Sequence, residues 1–274
     1  TQTAYPVLLA QLVNLSIVPR AYIERVGQAG FIQNPIGSGP YRFVSWQRGQ
    51  RVTLAVNPDY WGDRGTFARV EFNQVPDAAA RIANLRTGRS DLIVTLTPDH
   101  AAELSNDRRA QSVVVLSERV AVLRMNTLLG PLTDIRLRRA VWHGIDRDLI
   151  VSALLGGIDR VVPIFGSPAS FGWVEGIEGP RFDQALARRL VQEAGAAAQT
   201  ELVFNTAPVF DQRVVQAIQQ MLGEVGLRVR IAMFDTAAYM RRATGNPSES
   251  GDMTMERWTC TCADVEGILE PILR

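Results

Sequence analysis

Lysine is absent. All 29 basic residues of this 274-residue chain are arginines, set against 28 acids for a net charge of +1. An arginine-only basic set reads as codon bias of a GC-rich gene, and it favours bidentate contacts to carboxylates. The balance of charge leaves no basic field to draw nucleic acid or an anionic membrane. No apolar run reaches the length of a membrane span, since the stretch 8–18 is interrupted by Gln11, Asn14 and Ser16. Thr1-Gln2-Thr3 is not the charged start of a secretory signal, so the signal of a secreted parent is expected upstream of Thr1. Cysteine is confined to Cys260 and Cys262. A disulfide between them would close a tiny, strained ring, so they read as free thiols or as partners of a cysteine elsewhere. Histidine is confined to His100 and His143, and no HExxH, GxSxG or P-loop pattern occurs.

What is there is an ordinary globular balance, 46% hydrophobic and 21% charged, enough for one large or two modest domains. Apolar positions at helical spacing run over 5–30, with Pro19 opening a second helix over 20–27. Asn34-Pro35-Ile36-Gly37-Ser38-Gly39-Pro40 then reads as a rigid turn feeding a strand, its glycines free for positive φ. Strands over 42–46 and 51–56 flank the hairpin signal Gln47-Arg48-Gly49-Gln50, and Asn57-Pro58-Asp59-Tyr60-Trp61-Gly62 reads as a turn that buries two aromatics. Further strands are expected over 70–75, 91–95, 113–116 and 121–125. Helices are expected over 78–86, 99–104, 135–145, 147–155 and 184–194, with an irregular Pro- and Gly-rich stretch over 161–179. The best-defined unit is strand 201–205, helix 211–225 and strand 228–234, a βαβ pattern that predicts parallel neighbours. A helix to Ala243, a polar loop over 245–251, a strand over 252–258 and a helix over 264–273 complete an α/β chain. A boundary near 120 divides a hairpin-rich part, 1–120, from an αβ-rich part, 121–274.

Chemistry is sparse. His143 follows Trp142 inside a helix and reads as a packed residue, and His100 reads as a capping or surface residue. Asp134, Asp146, Asp183, Asp211 and Asp235 each stand at a helix start, where a carboxylate satisfies free N–H groups and favours the dipole. Gly37 and Gly39 precede a strand rather than a helix, so they make no phosphate cradle. Cys260-Thr261-Cys262 has no second pair to complete a zinc site. A ligand site is therefore argued from position, since α/β lobes bind at the carboxyl ends of their strands. Three places qualify: 124–127, which holds Asn126; 204–208; and 257–264. No metal, cofactor or catalysis is expected.

Several stretches, in order, resemble the solute-binding proteins of peptide, dipeptide and nickel ABC importers. They are NPIGSGPYRF with NPDYWG, VPDAAARIANLRTGRSDL (75–92), LRMNTLLGPLTDIRLRRAVWHGIDRDLIVSALLGG (123–157), FDQALARRLVQEAG (182–195) and VVQAIQQMLGEVGLRVRI (214–231). The resemblance implies a periplasmic-binding-protein-like α/β fold of two lobes. It also implies that this chain is an internal part of a longer protein, the end of the first lobe and most of the second.

It further implies capture of a small peptide-like, opine-like or glycoside-like solute between the lobes by hinge closure, and delivery to an ABC permease. The expected setting is the periplasm, or the cell exterior with a membrane anchor, with no insertion of the chain itself. In such proteins a Trp lines the cleft, and an Asp three residues on holds a peptide ammonium. Trp258 matches the Trp, Thr261 occupies the Asp position, and Asp264 matches a later, mainly structural Asp. A neutral Thr cannot supply the charge-assisted bond that a desolvated ammonium needs. The pocket is therefore expected to prefer a neutral or hydroxyl-rich group there, with Cys260 or Cys262 beside it and Trp173 as a second aromatic. The other readings are a receptor or chaperone-like interaction domain and, more remotely, a hydrolase.

Overall fold

The computed structural model describes residues 8–259, 264, 265 and 267. They fall into two compact units, Leu12–Ser112 and the described residues of Thr1–Gln11 with Val113–Arg274. The division at 112/113 lies upstream of the position near 120 expected from composition, and Ser117 O accepts from Ser167 Oγ at 2.7 Å within the second unit.

A one-turn helix α1 (Leu8–Gln11) opens the described residues, and in the first unit α2 (Arg20–Gln33) breaks at Gly27, whose φ of 71° and ψ of 171° interrupt the helix where the sequence predicted its end. Strands β1 (Tyr41–Gln47), β2 (Arg51–Val56) and β3 (Arg69–Asn73) form an antiparallel sheet in that order, with a bulge between Phe43 and Ser45. The two motifs that flank this hairpin clasp each other. Asn57 donates its N–H to Pro40 O at 2.8 Å and its side-chain amide to Gly39 O at 2.9 Å. Neither Gly37 nor Gly39 takes the positive φ expected of it, because these hydrogen bonds hold the turn without a left-handed residue. Trp61 is 84% exposed, so the turn does not bury both its aromatics; the ring leans on Tyr60 instead. Helices α3 (Ala78–Arg86) and α4 (Pro98–Ser105) follow. Thr97 caps α4, and its hydroxyl also meets His100 Nδ1, so His100 packs against the cap rather than supplying it.

The runs 91–95 and 113–116 are not strands. Val113, Val114, Val115 and Leu116 are exposed, and no strand among the described residues pairs with them. β-propensity alone does not make a strand; a neighbouring edge must take its N–H and C=O groups.

The second unit carries a sheet of order β4-β7-β5-β6, where β4 is Val120–Met125, β5 Leu202–Thr206, β6 Val229–Met233 and β7 Met253–Trp258. β5 pairs in parallel with both β6 and β7, and β4 runs antiparallel to β7. The predicted βαβ unit is present, with α8 (Gln212–Glu224) as its crossover and Gly226 at φ 96° as the stop. Helices α5 (Ile135–Gly144), α7 (Gln184–Ala194) and α8 pack a core around Leu137, Val141, Phe204, Val215, Leu222 and Met253. Burying each such side chain stabilises by roughly 1.5–3 kcal/mol. The expected helix over 147–155 is instead α6 (Arg147–Leu149) running into a π-turn over Ile150–Leu154, closed by Gly156 and Gly157 at positive φ. Helix α9 (Thr236–Thr244) joins β6 to β7, and the helix expected over 264–273 lies largely outside the described residues. The five aspartates read as caps, and Asp77, each accept a backbone N–H. Among the described residues no helix is long and apolar enough to cross a membrane.

Candidate functional site

Strand direction decides which candidates meet. β5, β6 and β7 are parallel, so their carboxyl ends share one rim of the second unit's sheet. β4 is reversed, with Val120 opposite Trp258 and Met125 opposite Met253. Its carboxyl end, where Asn126 sits, is therefore at the far end of the sheet from Trp258. This corrects the grouping of 124–127 with the other two places. The carboxyl-end rule holds for parallel neighbours, and β4 is not one.

Asn126 is also fully engaged. Its amide N–H groups donate to Pro247 O at 2.8 Å and Gly251 O at 3.3 Å, and its Oδ1 accepts from the N–H groups of Leu128 and Leu129. Beside it Asn205 donates to Ser250 O at 2.7 Å, and Asp252 Oδ2 accepts from Val203 N at 2.8 Å. These polar residues staple the loops at that end and leave Asn126 no free donor.

At the rim, Trp258 is half-buried and its indole N–H donates to Gly267 O at 3.3 Å. Asp264 is buried and forms a parallel bridge with Phe171, and Val265 N donates to Phe171 O at 3.0 Å. That bridge draws the irregular 161–179 stretch onto the segment after β7. Trp173, two residues past Phe171, is half-buried with an indole N–H that has no partner. It lines a cleft of about 610 Å³ together with Arg147, Arg160 and Glu175. The structure thus places Trp258 at the carboxyl end of β7, bridges Asp264 to the stretch that carries Trp173, and sets Asn126 at the other end of the sheet. Cys260, Thr261 and Cys262 lie outside the described residues.

Phe210 and Tyr239 escaped the sequence reading, and Arg257 entered it only as the first position of the place 257–264. Arg257 precedes Trp258 and sets its guanidinium 5.4 Å from the ring centroid of Phe210. Phe210, in the loop after β5, is buried and meets Tyr239 edge-on at 5.4 Å. Their only sequence signal was an arginine at the last full position of a strand and an aromatic just before a helix cap.

Within the sheet, Arg124 Nη2 reaches Glu256 Oε1 at 2.9 Å and Ala243 O at 2.7 Å, and the Tyr239 hydroxyl donates to Met255 O. Burial pushes the Glu256 carboxyl above its ordinary value, and Arg124 offsets part of that rise. Burial, then the Glu256 charge, pushes the Tyr239 phenol up to about 12. These groups tie α9 to β7. His143 Nδ1 donates to Arg181 O at 2.8 Å, a packing role as expected. Among the described residues no group of three or more His, Cys, Asp and Glu is placed to hold a metal.

A mixed sheet of this order, with a crossover helix and its binding candidates at the parallel carboxyl ends, defines a periplasmic-binding-protein-like α/β unit. The family model of bacterial extracellular solute-binding proteins, family 5 (middle) matches residues 1–274, and the chain belongs to that family. It is 24% identical over 254 residues to a dipeptide-binding protein of Escherichia coli (strain K12), covering 89% of this chain and 47% of that protein. It is 25% identical over 271 residues to heme-binding protein A of Haemophilus influenzae, covering 94% and 49%. Among solved structures, a dipeptide-binding protein of Pseudoalteromonas sp. SM9913 in complex with Met-Leu superposes with a TM-score of 0.79 at 20% identity, covering 96% of this chain and 54% of that one. The chain spans about half the length of the curated relatives it matches.

Proposed function

We propose that the protein containing this chain binds a small solute outside the cytoplasm, in the periplasm or at an anchored position on the cell surface, and delivers it to an ABC permease. The match of all 274 residues to an extracellular solute-binding family carries this reading. The rim at the carboxyl ends of β5 and β7 supplies one wall of the solute site, with Trp258 as an aromatic platform and Trp173 as a second. Thr261 stands where an acid would hold an ammonium, which favours solutes presenting a neutral or hydroxyl-rich group there, with Cys260 close by. Asp264 is buried and bridged to Phe171. The work is binding, with no bond made or broken.

The test is the solute itself. The full-length protein is purified from its native host and denatured, the released small molecules are identified by mass spectrometry, and each is titrated back by calorimetry. One recovered solute that rebinds stoichiometrically is the expected result. An empty protein that binds no peptide, sugar, opine or metal chelate would refute the reading.

A further inference from the structure

We propose that the cleft between the start of α6 and the 160–182 stretch is a second binding site, one that takes a small carboxylate with an apolar body. The inference goes beyond the solute-binding reading above and shares only Trp173 with it.

The cleft, of about 610 Å³, has the size of a small-molecule site, and no residue of β5, β6 or β7 lines it. Val161, Pro163, Trp173, Ile177 and Phe182 give it an apolar wall. Arg147 lines it as a half-buried charge, and the chain holds that guanidinium in place. Nη2 donates to Pro180 O at 2.6 Å, and the guanidinium carbon lies 5.0 Å from the centre of the Trp142 ring. Trp142 is itself pinned, its indole N–H donating to the same carbonyl at 3.0 Å. Among the described residues Pro180 O is the one acceptor that the Arg147 side chain meets, so most of its five N–H groups stay open to a ligand.

The acids of the cleft do not neutralise this charge. Asp146 is engaged as a cap, its Oδ1 accepting from Leu149 N at 2.9 Å, and Glu175 lies 4.0 Å from Arg160. Arg181 in turn lies 3.5 Å from Glu178. That leaves Asp148, which is exposed and forms no ion pair with Arg147 among the described residues. Burial pushes the Arg147 guanidinium below its ordinary value, and the Asp148 charge restores only part of that. A guanidinium fixed in place and short of counter-charge favours an anion that pairs with it. Trp173 adds a second donor, a buried indole N–H that meets no acceptor. Two open donors beside an apolar wall define the ligand: a carboxylate to accept, and an apolar body to fill the space.

The experiment uses the full-length protein and two matched pairs, phenylacetate with phenylacetamide and hexanoate with hexanamide. Binding is read by calorimetry. The expected result is that the acid of a pair binds about tenfold more tightly than its amide. Arg147→Gln should bring the two within about twofold, and Arg147→Lys should retain part of the preference, as a point charge without the fork. A second readout needs no altered arginine. In an indole N–H correlation spectrum of the wild type, phenylacetate should shift the Trp173 resonance and leave that of Trp258 in place, each assigned by its Trp→Phe variant. Failure of both acids to bind, equal binding of acid and amide, or an acid preference that survives Arg147→Gln overturns the proposal. So does a shifted Trp258 resonance or an unshifted Trp173 one. None of these outcomes touches the solute-binding reading, which is tested by the solute recovered from the protein.

Discussion

At the residue scale, the polar side chains divide into those that hold the fold and those left with open donors, such as Arg147. Arg124 and Glu256 belong to the first group. Glu256 has a raised folded pKa, so the stability it contributes is full below the ordinary carboxylate pKa and falls as pH rises through the folded value. Arg124 limits that loss by pairing with the charged form. Arg124→Met should therefore cost about 2–3 kcal/mol at neutral pH, a figure reduced for the partial exposure of Arg124, and distinctly less near pH 4. Urea titrations at the two pH values check this, and a cost equal at both would contradict it. Asp211 has the opposite sign: Arg213 holds its carboxyl below the usual range, so its contribution is present above the ordinary pKa and is lost as pH falls through the folded value. The helix-capping aspartates were legible because their role is local, set by the next three residues. The stacking of Arg257 on Phe210 was not legible, because it depends on where β5 ends.

At the element scale, the sequence was most readable where a pattern closes on itself. β5, α8 and β6 each carry their own apolar period and stop signal, and the structure pairs Leu202 with Val229 through Thr206 with Met233 in parallel. Leu222→Ala in α8 should cost about 2–5 kcal/mol, because the side chain is fully buried and the helices around it cannot collapse into the space. Gly130 is a second element-level determinant. It sits at φ 77° and ψ −167°, and an added Cβ would lie 2.5 Å from Asp252 Oδ1, the carboxylate that caps Val203 N. Gly130→Ala should cost roughly 2–3 kcal/mol, since that backbone region is nearly exclusive to glycine. Equal denaturation midpoints for wild type and variant would refute it. The runs 91–95 and 113–116 were misread because a strand needs a partner edge, which no local pattern reports. The placement of Asn126 was misread for a related reason: the direction of β4 relative to β7 is a property of the sheet.

At the scale of the whole molecule, the first unit has a thin core. Only Thr53, Ile82 and Leu104 are buried in it, while Trp61, Phe67 and Phe72 are exposed. In the second unit Val113–Leu116 are exposed as well. Apolar surface on this scale favours association. The isolated 274-residue chain should show concentration-dependent self-association in sedimentation velocity, and a single monomer boundary at high concentration would count against it. The division at 112/113 was not legible, since the exposed run 113–116 resembles the hairpin-rich part it does not belong to. The central claim is that solute binds at the carboxyl-end rim of the second unit's sheet. The most direct measurement is calorimetry of the full-length protein with its own recovered solute, comparing Trp258→Ala with Asn126→Ala. Loss of a buried aromatic platform should weaken binding by roughly 1–3 kcal/mol, while Asn126→Ala should lower stability and leave affinity unchanged. Unaltered affinity in Trp258→Ala with a large loss in Asn126→Ala would place the site at the opposite end of the sheet and contradict the account.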